Sequence, residues 1–375
     1  MEFYALHEQL RTALNKIKDV VPKDNKVYVP ILAYVLLSVR DEKLIISATD
    51  TETSLITTIP CQVKEPGNIA VLYSRFKAYV DSFEEGQFKF TLNDDQTKLC
   101  LKINRSTARI PAMPSEEFPH IGISLDGPMV NVDVRAFIKA VKLVDYAVST
   151  DDTERPVLHG IHLVCDGKTL VLESADGFRL SMFTIHMEDQ KPFNVVVPGI
   201  AMHKMATVMT QEEGELTISL VNDGQTIMFA TSNFTFSSQL ITGEFPDVQR
   251  ILRPKSTTVA TMGREDMLKA VKQSLIMAKE ADNIIIFEFS RESKNVIVRS
   301  SETIVGHVTV NLPAEIEGDD VDLAVNGRFL TAVLSSLQTA KVEFGLKGKT
   351  QPVMILGVGE DYFSHMIMPM HLGRR

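Results

Sequence analysis

Glu117-Phe118-Pro119 recurs 127 residues later as Glu244-Phe245-Pro246, and this repetition determines how the chain is organised. A second string, Lys139–Lys142 (Lys-Ala-Val-Lys), recurs 130 residues later as Lys269–Lys272. This period is too long for a solenoid, whose units have roughly 20–50 residues, and it fits a whole domain. Three such repeats fill the 375 residues. The sequence therefore predicts three copies of one domain, joined by connectors that carry the repeated tripeptide.

The composition is that of a globular protein with more than one core. A chain of 375 residues exceeds what a single hydrophobic core organises. No apolar run approaches the roughly 20 residues of a membrane helix. Residues 1–11 mix charged and apolar side chains, unlike a secretory signal. The three cysteines are odd in number and far apart, which argues for a reducing compartment and against a disulfide framework. We expect a cytoplasmic protein without a membrane partner.

Each repeat has the same order of predicted elements, namely a helix, strands, a second helix and more strands. The alternation in Phe88–Leu92 and Leu216–Leu220 is typical of half-buried strands. Asp166-Gly167 and Asp223-Gly224 separate such runs and predict hairpin turns. Few helices and many antiparallel hairpins predict an α+β fold, in which each repeat is a sheet with two helices on one face. The predicted helices lie near residues 6–21, 72–83, 132–148, 198–210, 264–279 and 327–338, and the predicted domains are 1–125, 126–254 and 255–375.

The first helix of each repeat has a basic face opposite an apolar face. The basic residues are His7, Arg11 and Lys18 in the first repeat, Arg135, Lys139 and Lys142 in the second, and Lys269 and Lys272 in the third. Their spacing of three, four or seven residues places them on one side of each helix. A solvated face would explain any single helix. Acidic residues are nearly absent from all three faces although the net charge is −9, so the pattern favours a shared basic surface.

The sequence contains no recognisable catalytic or metal-binding motif. His-Glu-x-x-His and Gly-x-Ser-x-Gly do not occur. Gly348-Lys349-Thr350 lacks the first glycine of a phosphate-binding loop, because that position is Glu343, and a hairpin turn is the better interpretation. We predict no metal, no cofactor and no enzymatic activity. A hydrolase that uses Asp50 or Asp176 is the alternative from another functional class.

Three strings in chain order carry a family resemblance. Ser174–Leu180 reads Ser-Ala-Asp-Gly-Phe-Arg-Leu, Phe245–Asp247 reads Phe-Pro-Asp, and Met368–Leu372 reads Met-Pro-Met-His-Leu. These strings resemble the Ala-Thr-Asp-Gly-x-Arg-Leu, Phe-Pro-Asp and Met-Pro-Met-basic-Leu segments of the bacterial sliding clamp family, the beta subunit of DNA polymerase III. Arg155–Gly160 and Val29–Leu32 fit the same family. The matches are collinear and span the chain.

The resemblance implies three repeated clamp-type domains per chain in a head-to-tail homodimer, which closes into a ring with helices lining the hole. Basic side chains in the hole would contact the phosphates of double-stranded DNA weakly and without sequence preference. The implied function is that of a processivity factor that slides on DNA and tethers the polymerase. The predicted DNA-contacting residues are Lys26, Arg75, Lys139, Lys142, Lys204, Lys269, Lys272 and Arg328.

The resemblance also implies a groove between the second and third domains. It would bind short peptides of the DNA polymerase III catalytic subunit, the clamp loader and repair proteins, and Arg179 and Arg250 would be available for their polar groups. The groove residues carried over by matching motif are Leu158, Ala175, Gly177, Phe178, Arg179, Leu180, Pro246, Arg250, Ile251, Ile367, Met368, Pro369 and Met370. The candidate dimer contacts are Ile276 and Met277 in the third repeat and Ala108 and Ile110 in the first, although all four could be internal core.

The chain departs from the family pattern at several positions. Ala175 stands where the family usually has Thr or Ser, and His371 stands where it has Lys or Arg. Residues 373–375 extend past the usual end. These differences bear on partner preference and allow an accessory clamp. A clamp-fold adaptor that binds peptides without encircling DNA is the alternative function.

Overall fold

The computed structural model describes residues 1–22, 29–93, 95–122, 129–151, 153, 155–188, 190–248, 256–301 and 306–370. These residues form an α+β protein, as predicted. The helices are α1 His7–Ile17, α2 Tyr73–Asp81, α3 Val134–Val144, α4 Gly199–Val208, α5 Arg264–Ala278 and α6 Gly327–Ser336. No helix in the described ranges combines the length and the apolar character needed to span a bilayer.

Most strands alternate between buried and less buried side chains, and the strand pairs in the described ranges are antiparallel. They are β1 Glu2–Leu6, β2 Tyr34–Arg40, β3 Lys43–Thr49, β4 Thr53–Pro60, β5 Gln62–Glu65, β6 Gly67–Leu72, β7 Gln87–Leu92, β8 Lys98–Ile103, β9 Ser106–Met113, β10 Met129–Asp133, β11 Gly160–Cys165, β12 Thr169–Ala175, β13 Arg179–His186, β14 Phe193–Pro198, β15 Glu215–Val221, β16 Thr226–Ala230, β17 Phe234–Gln239, β18 Thr258–Gly263, β19 Ile284–Ser290, β20 Asn295–Ser300, β21 Thr309–Pro313, β22 Glu315–Glu317, β23 Val321–Asn326, β24 Lys341–Leu346, β25 Val353–Gly357 and β26 Phe363–Ile367.

The chain divides into two compact units. The first unit contains Met1–Arg135 and Lys204–Leu240, and the second contains Ala136–His203 and Ile241–Arg375. The central repeat therefore contributes strands to both units, because strands of neighbouring repeats pair with each other. In the first unit β4 pairs with β17, and in the second β13 pairs with β26. We refer to these pairings as the first junction and the second junction.

The first unit is one sheet of thirteen strands in the order β10-β15-β16-β17-β4-β3-β2-β6-β9-β8-β7-β1-β5. Helix α1 packs on β4 and β3 through Leu10, Leu14 and Ile17, whose spacing places them on one face of the helix. The rings of Phe3 and Phe90 stack with centroids 4.4 Å apart at the centre of this core. The predicted division of α1 into an apolar and a polar face is confirmed for these residues.

The second unit contains two sheets. Nine strands have the order β14-β11-β12-β13-β26-β25-β24-β18-β22, and four have the order β21-β20-β19-β23. Helix α5 packs on β19, β20 and β21, and α6 packs beside α5. Gly348-Lys349-Thr350 lies in the turn between β24 and β25, as predicted. His159 lies in a short 3-10 turn, Pro156–His159, and Pro156 favours the first position of such a turn.

Candidate partner-binding groove and basic helix faces

A cluster of buried apolar side chains lies at the second junction. Its members are Val157, Leu158, Ala175, Leu180, Val196, Phe245, Val248, Met354 and Met366, with Ile241 packed against them. Three predicted groove residues, Leu158, Ala175 and Leu180, are therefore in one cluster. Pro246 stands between its members Phe245 and Val248 in the chain. Arg250 and Ile251 lie outside the described residues.

A rigid turn between β12 and β13 borders this cluster. The Asp176 carboxylate accepts hydrogen bonds from the backbone N–H groups of Phe178 at 3.0 Å and Arg179 at 2.9 Å. Gly177 has a φ of +81°. Glycine adopts this backbone conformation readily, whereas a residue with a side chain would be strained in it. The ring of Phe178 is consequently held at the tip of the turn with 61% of its surface exposed. An exposed aromatic ring on a fixed backbone is suited to contact an apolar partner.

The end of the chain forms the other side of the groove. Strand β26 pairs with β13, which places Ile367 opposite Arg179. The Met368 N–H then donates to the Phe178 carbonyl at 2.8 Å, and the Met370 N–H donates to the Ala324 carbonyl at 2.7 Å. Ile367 is buried, Met368 is exposed, and Pro369 and Met370 are half-buried. The structure thus places Phe178 and Arg179 beside Ile367 and Met368.

The role predicted for Arg179 requires correction. Its Nε atom donates to the Asp176 carboxylate at 2.8 Å, and its guanidinium carbon lies 4.4 Å from the centre of the Phe329 ring. A guanidinium that is both ion-paired and stacked is already engaged. Arg179 therefore fixes the Asp176 turn and is not free for a peptide's polar groups.

A buried polar network lies beneath the same turn. Ser181 Oγ is 2.6 Å from Nδ1 of His365 and 3.1 Å from the Tyr146 hydroxyl oxygen. Burial, reinforced by the charge of Arg179, lowers the pKa of His365 to about 3. The folded protein therefore keeps this imidazole neutral over the physiological pH range.

We expect acid to destabilise the protein through His365. Because the unfolded chain binds a proton near pH 6.5 and the folded chain does not, stability is lost as the pH falls from 6.5 towards 3, by up to about 1.4 kcal/mol per pH unit. His365→Gln keeps an acceptor for Ser181 and should flatten the dependence of the urea unfolding midpoint on pH between 6.5 and 5. The exposed-site variant His120→Gln is the control and should keep the wild-type slope; equal slopes for both variants would contradict the assignment.

The first junction has the same backbone geometry without the apolar lining. The Asp50 carboxylate accepts from the N–H groups of Glu52 and Thr53, and the Gln239 N–H donates to the Glu52 carbonyl at 2.9 Å. Each of these bonds has its counterpart at the second junction. At the second junction Leu180 faces Met366 across the strand pair. At the first junction the equivalent cross-strand pair is Ser54 and Ser237. Among the described residues, the second junction therefore has an apolar cluster where the first junction has a polar pair.

The predicted DNA-contacting residues differ in their environments. Arg75 on α2 is exposed in the first unit, and Lys142, Lys269, Lys272 and Arg328 on α3, α5 and α6 are exposed in the second. Lys139 is paired with Glu360 at 2.6 Å, and Lys204 is paired with Asp50 at 2.9 Å. The prediction of free phosphate contacts is weakened for these two lysines because acidic residues distant in sequence neutralise them. Lys26 lies outside the described residues.

The basic face predicted for α1 contains one error. His7 is buried, and its Nε2 lies 3.1 Å from the Val80 carbonyl oxygen, so it belongs to the core of the first unit. Helical spacing placed it with Arg11 and Lys18, which are exposed. Position 7 is the first residue of α1, where the side chain reaches back to a neighbouring helix instead of following the solvent-facing side.

The candidate dimer residues lie on two surfaces, one in each unit. On β9 of the first unit, Ala108 is half-buried, and the side chain of Ile110 is only 4% exposed and packs in the core of the subunit. On α5 of the second unit, Ile276 is 66% exposed and Met277 is half-buried. The exposure of Ile276 leaves its side chain accessible to a second molecule.

Two strand edges accompany these surfaces. Residues Ser106–Pro111 of β9 pair only with β8, and β21 is the last strand of its sheet, in the part of the chain that the structure describes. Helix α5, which carries Ile276, packs against β21. Both segments are therefore unpaired on one side, and unpaired strand edges are templates for pairing with another chain.

The aspartates considered for catalysis have structural roles. Asp50 and Asp176 both accept backbone N–H groups within their own turns, and each also binds a basic side chain, Lys204 or Arg179. Among the residues that the structure describes, no group of three or more His, Cys, Asp or Glu side chains is placed to hold a metal ion. The geometry gives no support to the hydrolase alternative.

Motif matching missed one buried group next to the groove. His162 on β11 is 3.0 Å from the Glu173 carboxylate on β12, and the Phe245 ring stacks on the imidazole with centroids 4.6 Å apart. The sequence offered one signal, because two ionisable residues occupy facing strands of one predicted hairpin. The equivalent positions 126 residues earlier are Leu36 and Ser47, which are not ionisable.

Comparisons with known proteins agree with this geometry. Family models of the DNA polymerase III beta subunit match in order, with the N-terminal domain at residues 1–122, the central domain at 131–247 and the C-terminal domain at 249–371. The beta sliding clamp of Pseudomonas putida is 24% identical over 99% of this chain and 100% of its own length. That of Staphylococcus aureus is 23% identical over 99% of both chains.

Solved structures show the same fold. The DNA polymerase III subunit beta of Pseudomonas aeruginosa superposes with a TM-score of 0.90 at 24% identity, covering 99% of this chain and 100% of that one. The sliding clamp of Bacillus subtilis has a TM-score of 0.92 at 18% identity, covering 99% of both. With three domain models matched in succession, the chain belongs to the family of DNA polymerase III beta subunits.

Proposed function

We propose that this protein is a DNA polymerase processivity factor, a non-catalytic sliding clamp that closes around duplex DNA as a homodimer. The observation that carries this proposal is the pattern of strand pairing between repeats. One half of the first repeat has the four strands β2, β3, β4 and β6, and the matching half of the second repeat has β11, β12, β13 and β14. In both junctions the last strand of one repeat pairs with the third of these four strands in the preceding repeat. These pairs are β17 with β4 and β26 with β13. The strands left over by this rule are β9 and β21.

Pairing of β9 with β21 of a second copy would repeat the junction a third time. Two such contacts would join the subunits head to tail and, with the appropriate rotation, close a ring of six repeats. The exposed Ile276 on α5, beside β21, would be covered by this contact. On the opposing surface, Ala108 of β9 would contribute to this contact. Met277 would extend the contact on the side of α5.

The ring would hold DNA by topology, so its direct contacts can be weak. Arg75, Lys142, Lys269, Lys272 and Arg328 are the exposed candidates for phosphate contact. Lys–phosphate and Arg–phosphate contacts are salt-dependent and independent of sequence, which suits a protein that must move along DNA. The overall charge of −9 would limit the strength of this attraction.

The groove at the second junction would recruit partners to the ring. Its apolar lining, with the exposed Phe178 and Met368 at its border, suits short apolar peptide segments. We propose the catalytic subunit of DNA polymerase III, the clamp loader and repair proteins as its partners, and the cytoplasm as the compartment in which they meet.

Linearisation of loaded DNA tests encirclement directly. The protein is loaded on nicked circular duplex with its clamp loader and ATP, and retention is measured by gel filtration before and after a restriction enzyme cuts the circle. We expect retention on the circle and loss from the linear form at the same salt concentration. Equal retention on both forms would contradict encirclement, and polymerase binding combined with no retention on either would favour the adaptor alternative.

A further inference from the structure

A buried polar cluster lies on the face of the nine-stranded sheet that the connector of the second unit covers. His162 on β11 faces Glu173 on β12 directly across the strand pair, with Nδ1 3.0 Å from a carboxylate oxygen. Its Nε2 lies 2.7 Å from Oδ1 of Asn194 on β14. His162 is 8% exposed and Glu173 is 2% exposed. The His162–Glu173 pair is therefore buried, and the exposed Asn194 lies at its edge.

With Oδ1 of Asn194 facing Nε2, as the structure places it, the hydrogen bonds of this cluster favour one protonation state of His162. A carboxylate accepts hydrogen bonds only, and the carbonyl oxygen of an amide also accepts only. An imidazole placed between two acceptors satisfies both when each ring nitrogen carries a proton, and this form is the cation. The second carboxylate oxygen of Glu173 has no partner among the described residues, so His162 is the group that compensates its buried charge.

The cluster holds the connector that contributes to the groove. The Phe245 ring stacks on His162 with an interplanar angle of 24° and centroids 4.6 Å apart, and a cationic ring attracts an aromatic face more strongly than a neutral one. Phe245 and Val248 both belong to the apolar cluster of the groove, with Pro246 between them. His162 therefore helps to fix the position of Phe245, which forms part of one wall of the groove.

The first repeat shows that the fold does not need this pair. Leu36, Ser47 and Asn68 stand 126 residues before His162, Glu173 and Asn194, and Leu36 faces Ser47 in the same strand register. Together with Phe118 they line an open cleft of about 640 Å³. The ion pair is thus present in the repeat whose junction is apolar and absent from the repeat whose junction is polar.

We propose that His162 and Glu173 are positioning residues for the partner-binding groove, and that binding of partner peptides is consequently strongest when His162 is protonated. This inference rests on the proposed function of the groove. The strand neighbours Val196 and Met182, which lie opposite His162 and Glu173, are apolar. On the connector the ionisable residues beside Phe245 are Glu244 and Asp247, and both are exposed. Glu173 is therefore the ionisable group buried against His162.

The test measures the affinity of the full-length protein for the DNA polymerase III catalytic subunit of its own organism between pH 5.5 and 8.5. Wild-type affinity should fall as the pH rises across this range. The double variant His162→Leu/Glu173→Ser, which copies the first repeat, should bind about tenfold more weakly at the acid end, the order of a hydrogen bond to a charged group. Its affinity should also be independent of pH. His120→Gln is the matched control, since this exposed residue of the first unit should leave the wild-type profile unchanged.

Nitrogen NMR of the His162 ring in the wild-type protein gives a readout that does not depend on how well a variant folds. We expect both ring nitrogens to carry protons at the acid end and one to lose its proton where affinity falls. A ring that is neutral throughout, or an affinity profile shared by wild-type and double variant, would overturn the positioning role and leave the groove intact. Absence of polymerase binding at every pH would overturn the proposed groove as well.

Discussion

A chain that ends at Ile367 is expected to lose measurable binding to the polymerase catalytic subunit while it still forms dimers. The deletion removes the Met368 N–H that holds the Phe178 carbonyl and the Met370 N–H that holds the Ala324 carbonyl. It also removes the exposed Met368 from the border of the groove. Strand β26 remains, so the second junction keeps its backbone pairing and the proposed dimer surfaces are untouched.

Surface plasmon resonance with immobilised polymerase measures the loss, and analytical ultracentrifugation measures the dimer. Ile200→Ser is the matched control, because it removes an apolar side chain that is 75% exposed on α4, outside the groove. We expect this control to bind as the wild-type protein does. Undiminished polymerase binding by the truncated chain would mean that the groove lies elsewhere.

Ile276→Asp is expected to convert the dimer into monomers at micromolar concentration. A carboxylate placed in an apolar contact must be dehydrated without a partner, which costs several kcal/mol and weakens association by about a hundredfold or more. The side chain is exposed in the subunit, so the substitution should leave the subunit's thermal stability nearly unchanged. Sedimentation equilibrium gives the dissociation constant.

The same variant separates the two proposed activities. It should still bind the polymerase through its groove, but it should not remain on circular DNA after loading, because a single subunit cannot close around the duplex. Ile200→Asp introduces the same charge on another exposed isoleucine and should remain dimeric. A dimeric Ile276→Asp protein would place the interface on a different surface.

The regular elements were predictable because each has a local signature. Helices α1, α3 and α5 fall within the predicted ranges, since buried residues such as Leu10, Leu14 and Ile17 recur at helical spacing. The turn at Asp176 and the C-terminal segment were found by motif, and the structure brings them together through the bond between Met368 and Phe178. Family resemblance therefore supplied two segments that the structure places next to each other at the second junction.

Several of the errors share one physical origin, which is pairing between residues far apart in the sequence. Lys139 meets Glu360 across 221 positions, and Lys204 meets Asp50 across 154. No periodicity in a helix reveals that an acidic side chain from another element will neutralise its lysine. The burial of His7 against Val80 has the same cause. Conversely, His162 and Glu173 are neighbours in one hairpin, and comparison between repeats would have revealed them.

The polar first junction fixes how many proteins the proposed ring can carry. Ser54 and Ser237 occupy the positions equivalent to Leu180 and Met366. The first junction therefore lacks this apolar pair for a partner peptide. The dimer is consequently bivalent for its partners although it contains four intrachain junctions. Two partner proteins could bind one ring at the same time, and a third could bind only after one of them had dissociated. Exchange between replication and repair at such a clamp would then be timed by partner off-rates.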